Sequence, residues 1–367
     1  MEITFYSETI AKNWDDFVMR NDDAWFWHTT DWMLYCLNSQ FGVTTVNKSF
    51  CLRENKKIVA IVPLIVEKKV VNGKEFVEIF YGGWPTPVPV IEISKNQNKK
   101  DRIYKYIFES IDNIANENNA QRSVFRIYDA YSSYKRGNIV YNFTMSHGFI
   151  DVSLNTQVID ISLKKENLLQ SFSESSIRNI NKAEDLLAVE FYDSKNISRG
   201  KYDMFKTFYF RIAGKITRPN ECLEVLYRLI LKGVVFLAFA LYNNSLVGVQ
   251  MVIHYKSGAY YLLSAVEKEF NYCSIGHFMQ WNVMKYLRDK DIDYYEIGIQ
   301  QYGNTLYDFP DEKDIGISEF KRRFGGVTVP LFTGEKHYAK EYFRACLQDR
   351  INKYIEVIPN EQNKNRK

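Results

Sequence analysis

The chain has no long apolar run and little excess charge of either sign. Its longest strongly apolar stretch, residues 234–241, is far shorter than the roughly 20 residues a membrane helix needs. The first residues, MEITFYSETI, show no basic start followed by an apolar core. No signal peptide or transmembrane segment is therefore expected, and the protein is read as cytoplasmic. A net charge of +4 is too weak to announce duplex-DNA binding, though it suits an anion held at a local basic patch. Five cysteines, Cys36, Cys51, Cys222, Cys273 and Cys346, are scattered and odd in number. They predict reduced thiols rather than a disulfide framework. The five histidines form no metal-ligand spacing, so no metal is expected.

Aromatic residues are abundant, with 26 Tyr and 25 Phe. The 367 residues are 46% hydrophobic, enough for two cores of ordinary size. Two regions carry the same order of signals. In the first, SFCLRE, the turn NKK and the run IVAIVPLIVE lead through VNGK into EFVEIFYGG. A proline-rich loop follows, then a helix over KKDRIYKYIFESIDNIANEN with Ile103, Tyr106, Ile107, Ile111 and Ile114 at helical spacing, then the strand SVFRIY. In the second, VVFLAFALY, NNS, LVGVQMVIHY, KSG and AYYLLSAV lead through a loop into the helix IGHFMQWNVMKYLRDK and the strand YYEIG. Each unit reads as strand, turn, strand, turn, strand, loop, helix, strand. The last two strands run parallel, with the helix as crossover. A duplicated α/β module accounts for the repetition.

Further stretches complete the pattern. They are YGG with its proline-rich sequel at 81–87, SESSIRNINKA at 173–183, FYFRIAGKITRP at 208–219, YYEIGI at 294–299 and GISEFKRRFGG at 316–326. In this order and rough spacing the chain resembles the FemABX and CelD-like branch of the GNAT superfamily. The resemblance implies an α/β fold of two tandem GNAT-like modules with mixed sheets flanked by helices. The expected division is 1–160, 161–335 with the active site, and 336–367 as a C-terminal helix packed on the body plus a polar tail. It also implies an acyltransferase. The donor would be an acyl-CoA thioester or an aminoacyl-tRNA, used as a co-substrate rather than a tightly bound cofactor. The acceptor would be a small-molecule or glycan-precursor amine of the peptidoglycan or cell envelope, or an amino sugar, with tRNA as a partner in the second case. A decayed tandem fold acting as a binding protein is the alternative.

Amine attack on an ester or thioester needs proton removal, oxyanion stabilisation and alignment, but no covalent enzyme intermediate. On spacing alone, alternation along ISEFKRRF reads as a basic edge strand with Phe320 and Phe324 inward. The resemblance instead makes Lys321 the charged catalytic group and Phe320 a substrate-side residue. Arg178 and Lys182 lie one helical turn apart and can share an anion; a solvated helix face is the competing reading. Glu296 ends the last strand as the candidate base, where many relatives carry Asp, with Gln300 beyond it. Tyr209 and Arg211, on the FYFR helix, are assigned to catalysis and acceptor binding. Trp32 matches the family's early Trp segment, but no basic residue follows it closely, which argues against a UDP-muropeptide acceptor. Ser274, Gly276 and His277 open the helix where acetyltransferases hold the donor pyrophosphate. Here that start has one glycine and no glycine-rich run.

Overall fold

The computed structural model describes residues 1–71, 73–92, 96–128, 131, 135 and 141–358. The polar tail at 359–367 and the turn residue Asn72 lie outside them. The chain opens with β1 (Glu2–Phe5), α1 (Ala11–Arg20) and α2 (Thr30–Leu37), then β2 (Val43–Asn47) and β3 (Phe50–Glu54). β4 (Lys57–Val62), β5 (Ile65–Val71) and β6 (Lys74–Phe80) follow. Asn55 and Lys56 have φ of 50° and 66°, the mirror-image turn that suits a two-residue hairpin between β3 and β4. The apolar run 58–67, expected as one strand, is two. Pro63 has no N–H to give to a ladder, and the chain changes sheet there. β4 lies in a four-stranded sheet ordered β1-β3-β4-β8, whereas β5 joins a seven-stranded sheet.

Two short strands, β7 (Thr86–Pro87) and β8 (Val90–Ile91), precede the helix α3 (Gln97–Glu117), β9 (Arg122–Arg126) and β10 (Ile150–Asp151). α3 buries Ile103, Ile107, Ile111 and Ile114 at the expected spacing, while Tyr106 is exposed. It carries the chain from β6 to β9, and these two strands pair in parallel.

The second module begins with β11 (Leu154–Asp160), α4 (Lys165–Gln170), α5 (Glu174–Glu184) and β12 (Leu187–Tyr192). Ser173 caps α5, its hydroxyl accepting from the Ser176 N–H. Next come α6 (Arg199–Ala213), α7 (Asn220–Leu231), β13 (Val235–Tyr242), β14 (Ser245–Tyr255), β15 (Gly258–Val266), α8 (Ile275–Arg288) and β16 (Tyr294–Gln300). α9 (Glu312–Arg322) and β17 (Val327–Leu331) end the module. Its sheet is ordered β12-β13-β14-β15-β16-β11-β17, and β15 pairs in parallel with β16 across the crossover helix α8. Both units thus have mixed sheets with flanking helices and the same strand–helix–strand crossover.

The sheets do not follow a division at 160/161 and 335/336. β11 pairs with β16 and β17 in the second sheet. β18 (Thr333–His337) crosses back to the first sheet and pairs with β9 and β10. The first module therefore completes its sheet with a strand from beyond the second in sequence, while the second holds its own elements from β11 to β17. The final helix, α10 (Lys340–Val357), follows β18 onto the first module. Tyr342 donates to Glu78 at 2.8 Å, and Arg350 grips Glu335 through two bonds of 2.5 and 2.7 Å. Contrary to expectation its apolar stripe is not buried: no residue of α10 is in the core, and Tyr354 and Ile355 are exposed.

Candidate functional site

The run GISEFKRRFGG is helix, not strand. Asp311 accepts from the Asp314 N–H and Asp314 reciprocates on the Asp311 N–H, a capping box that starts α9. Phe320 and Phe324 still share a face, because four residues is one turn of helix as well as two strand repeats. Phe324 is fully buried, which is worth roughly 1.5–3 kcal/mol. Phe320 packs edge-on against Phe324 and His277. The two glycines that follow serve the fold. Gly326 has φ 77° and approaches β11 so closely that a Cβ would lie 2.2 Å from the Val158 carbonyl oxygen.

The three cations of this run have three environments. Arg323 is exposed. Arg322 donates to Gln300 Oε1 at 2.9 Å and lies over the Tyr302 ring. Lys321 points inward, its Nζ donating to the Ile299 carbonyl at 3.2 Å. Among the described residues no carboxylate is within ion-pair distance of it. Burial pushes its ammonium down to about 8, against the opposing pull of Glu296.

β15 and β16 explain why a lysine can reach this point. Their parallel ladder runs from Gly258↔Tyr294 to Tyr260↔Glu296 and stops, although both strands continue. Register shifts on their outer edges, between Met251 and Val252 of β14 and between Gln157 and Val158 of β11, mark bulges that bend the two strands apart. Gly298 takes φ 92°, and a Cβ there would lie 3.2 Å from Lys321 Nζ and 3.8 Å from the Tyr260 hydroxyl. The glycine thus allows both the bulge and the ammonium beside it.

A narrow cleft enters at this opening, with about 370 Å³ of atom-free space including its mouth. As the side chains stand, its enclosed part has room for about one water molecule. The second module lines it with Tyr260, Leu262, Glu296, Ile299 and Leu331, and the first with Trp27, Trp32, Trp84, Arg126 and Tyr128. Thr156 donates to Glu296 at 2.7 Å. Tyr260 and Tyr128 are half-buried, and desolvation raises both phenols far above their ordinary range. Both stay protonated; the Tyr128 hydroxyl donates to the Pro85 carbonyl at 2.9 Å.

The expected residues divide accordingly. Glu296 and Trp32 line the cleft, and Lys321 bonds the carbonyl of its lining residue Ile299. Gln300 is buried beside Arg322 and turned from the cleft. Tyr209 is elsewhere: its hydroxyl accepts from Arg218 at 3.4 Å, and Arg218 also donates to Tyr35 at 2.7 Å. Arg211 is paired with Glu267 at 2.6 Å. Arg178 is exposed and pairs with Glu174 on its own helix at 3.6 Å, and Lys182 is exposed; this is the solvated helix face. Ser274 begins α8 in a left-handed conformation with φ 54° and makes no side-chain cap. Gly276 makes room for a ring, since a Cβ there would lie 3.1 Å from Phe320 Cζ. Burial lowers His277 to about 4, so it is neutral at pH 7.

Sequence reasoning missed Arg126, Tyr128, Trp27, Trp84 and Tyr260. One signal was available: Arg126 is a charge inside SVFRIY, a strand whose parallel partner implies burial. The aromatic residues gave none, because their grouping depends on how the two modules face each other.

Residues 178–322 match the family model described as Acetyltransferase (GNAT) domain. FemX has a similar structure, with TM-score 0.64 and 13% identity over 94% of this chain and 99% of FemX. The C-terminal domain of a candidate lysylphosphatidylglycerol synthetase from Agrobacterium fabrum aligns with TM-score 0.53 and 12% identity, over 94% of this chain and 96% of its own. L-PGS from Bacillus licheniformis follows with TM-score 0.50 and 10% identity, over 80% and 86% of the two chains. No curated protein matches the sequence. At these identities the likeness to solved structures is one of fold. The chain thus carries a GNAT acetyltransferase-type domain over residues 178–322 and, over its length, a fold like that of FemX.

Proposed function

We propose that the protein transfers an acyl or aminoacyl group to an amine of a cell-envelope precursor or an amino sugar. The observation that carries this reading is Lys321: a part-buried ammonium that bonds the Ile299 carbonyl and feels the charge of Glu296 at the end of an opened parallel strand pair. The amine attacks the acyl carbonyl carbon, and a C–N bond forms. Lys321 meets the negative charge that develops on the carbonyl oxygen. Glu296 takes the amine proton, directly or through water, and returns it to the leaving thiolate or alkoxide as the C–S or C–O bond breaks. Tyr260, protonated and facing the same glycine, is a second donor to the oxyanion.

The donor is an acyl-CoA or an aminoacyl-tRNA, reaching the site past Ser274, Gly276 and His277. The names FemX and L-PGS, carried by proteins of similar fold, support a cell-envelope setting. Phe320 over the start of α8 leaves less room there than a glycine-rich loop would. Calorimetry on the full chain with acetyl-CoA, and filter binding with a mixture of charged tRNAs, separates the donors. Saturable binding of one is expected, with product formed from an amine. Binding of neither, together with no acyl transfer from either, overturns the reading.

A further inference from the structure

The cleft contains a charge that acyl transfer itself does not use. Arg126 ends β9 in the first module and is only 6% exposed. Its Nε donates to Thr333 Oγ1 at 2.9 Å, and its guanidinium carbon lies 5.7 Å from the Tyr128 ring centre. Among the described residues no carboxylate is within ion-pair distance. A buried guanidinium without an anion is costly, and its in-plane N–H groups are the usual fork for a carboxylate or phosphate. A second donor lines the same cleft. Trp27 is buried, and its indole N–H has no hydrogen-bond partner among the described residues, whereas a buried tryptophan ordinarily finds one. The second module's part of the same lining carries Glu296.

An arginine fork with no carboxylate at ion-pair distance among the described residues, an unfilled indole N–H and a carboxylate, set among aromatic walls, complement a molecule with an amine at one end and an anion at the other. We propose that the acceptor is an amino acid-like zwitterion: its carboxylate is held by Arg126 and the Trp27 indole N–H, and its amine is presented to Glu296. Both charges bear on the same two phenols. Arg126 draws the Tyr128 and Tyr260 hydroxyls down and Glu296 pushes them up, which places the two charges at one site. The amine as acceptor rests on the acyl-transfer reading; the anion site stands without it.

The test is calorimetry on the full chain with glycine, β-alanine, 4-aminobutanoate and 6-aminohexanoate. Each is compared with the alkylamine and the alkyl carboxylate of matching length, and with the matching aminoalkyl phosphate. One zwitterionic carboxylate is expected to bind at least about tenfold more tightly than its amine or acid counterpart, the usual size of a charged hydrogen bond. Arg126→Gln removes that preference and leaves the affinity for the plain amine. Trp27→Phe, which removes only the indole donor, weakens it severalfold and carries the test if Arg126→Gln fails to fold. The proposal is overturned if no zwitterion outbinds its plain amine in the wild type. A preference that survives both substitutions, or one for the phosphate over the carboxylate, also overturns it. A zwitterion bound through Arg126 but never acylated would keep the anion site and sink the acyl-transfer reading. Acylation of amines lacking any anionic group would do the reverse.

Discussion

The two modules part their strands at the same place and fill the opening differently. In the first, β6 and β9 pair in parallel only at Glu78↔Arg122 and Ile79↔Ser123. Then β7 inserts, pairing Thr86 with Phe125 and Pro87 with Arg126, and the Val88 N–H continues onto the Arg126 carbonyl at 3.0 Å. In the second, β15 and β16 part after Tyr260↔Glu296, and among the described residues no strand takes the place of β7. Lys321 arrives instead, bonding one carbonyl at the end of the opening. A duplicated fold thus closes one opening with its own proline-rich loop and leaves the other to a lysine side chain. The first module is left to supply a wall and an arginine.

Replacing Lys321 breaks this contrast most sharply. Lys321→Met should lower turnover about a hundredfold, the size of one lost oxyanion donor, while the protein stays folded. In the wild type kcat/KM should fall as pH rises through about 8, where the ammonium loses its proton, and the residual activity of the variant should lack that limb. Stability should move the other way. Folding lowers this pKa from 10.5 to about 8, so the cost of burying the charge is fully present below about 8. It fades as pH rises toward 10.5. Lys321→Met should therefore be at least as stable as wild type at pH 7, with the difference vanishing in alkali. Undiminished turnover in steady-state kinetics would make Lys321 a structural residue.

Gly298 sharpens the comparison from the strand side. Gly298→Ala places a methyl 3.2 Å from Lys321 Nζ on a backbone with φ 92°. Stability should fall by about 1–3 kcal/mol, and displacement of the ammonium should cost roughly tenfold in turnover. Chemical denaturation and kinetics measured together check both. The smallest effect is expected in the closed opening. Thr86 is fully buried and its hydroxyl has no partner among the described residues. Thr86→Val removes that unsatisfied group and should leave stability equal or raised by up to about 1 kcal/mol, with turnover unchanged. A collapse of activity in this variant would show that the closed opening has a chemical role of its own.

Much of this architecture was legible in the sequence where the forces are local. Alternation and turn residues give the hairpins, and the crossover between parallel strands requires α3 and α8. The GISEFKRRFGG run was misread because Phe320 and Phe324, four apart, satisfy both periods. The deciding signals stood outside it, in Asp311 and Asp314 upstream. Glu296 and Lys321 came from the resemblance, and the structure places them at one opening. Arg178, Tyr209 and Arg211 came from it too, but their neighbours satisfy them away from the cleft. The return of β18 to the first sheet was not legible, since the strand contains nothing that names a partner so distant in sequence.

The return of β18 has a consequence for how the protein is made. The first sheet needs β18 against β9, yet β18 leaves the ribosome long after β9. During synthesis the first module therefore waits with β9 unpaired on that side, an exposed strand edge of the kind that invites aggregation. The second module has β11 in hand before the rest of its sheet appears and can form ahead of it. The later half is then the scaffold on which the earlier half is finished. Truncation just before Thr333 should spare the second sheet while leaving the first open.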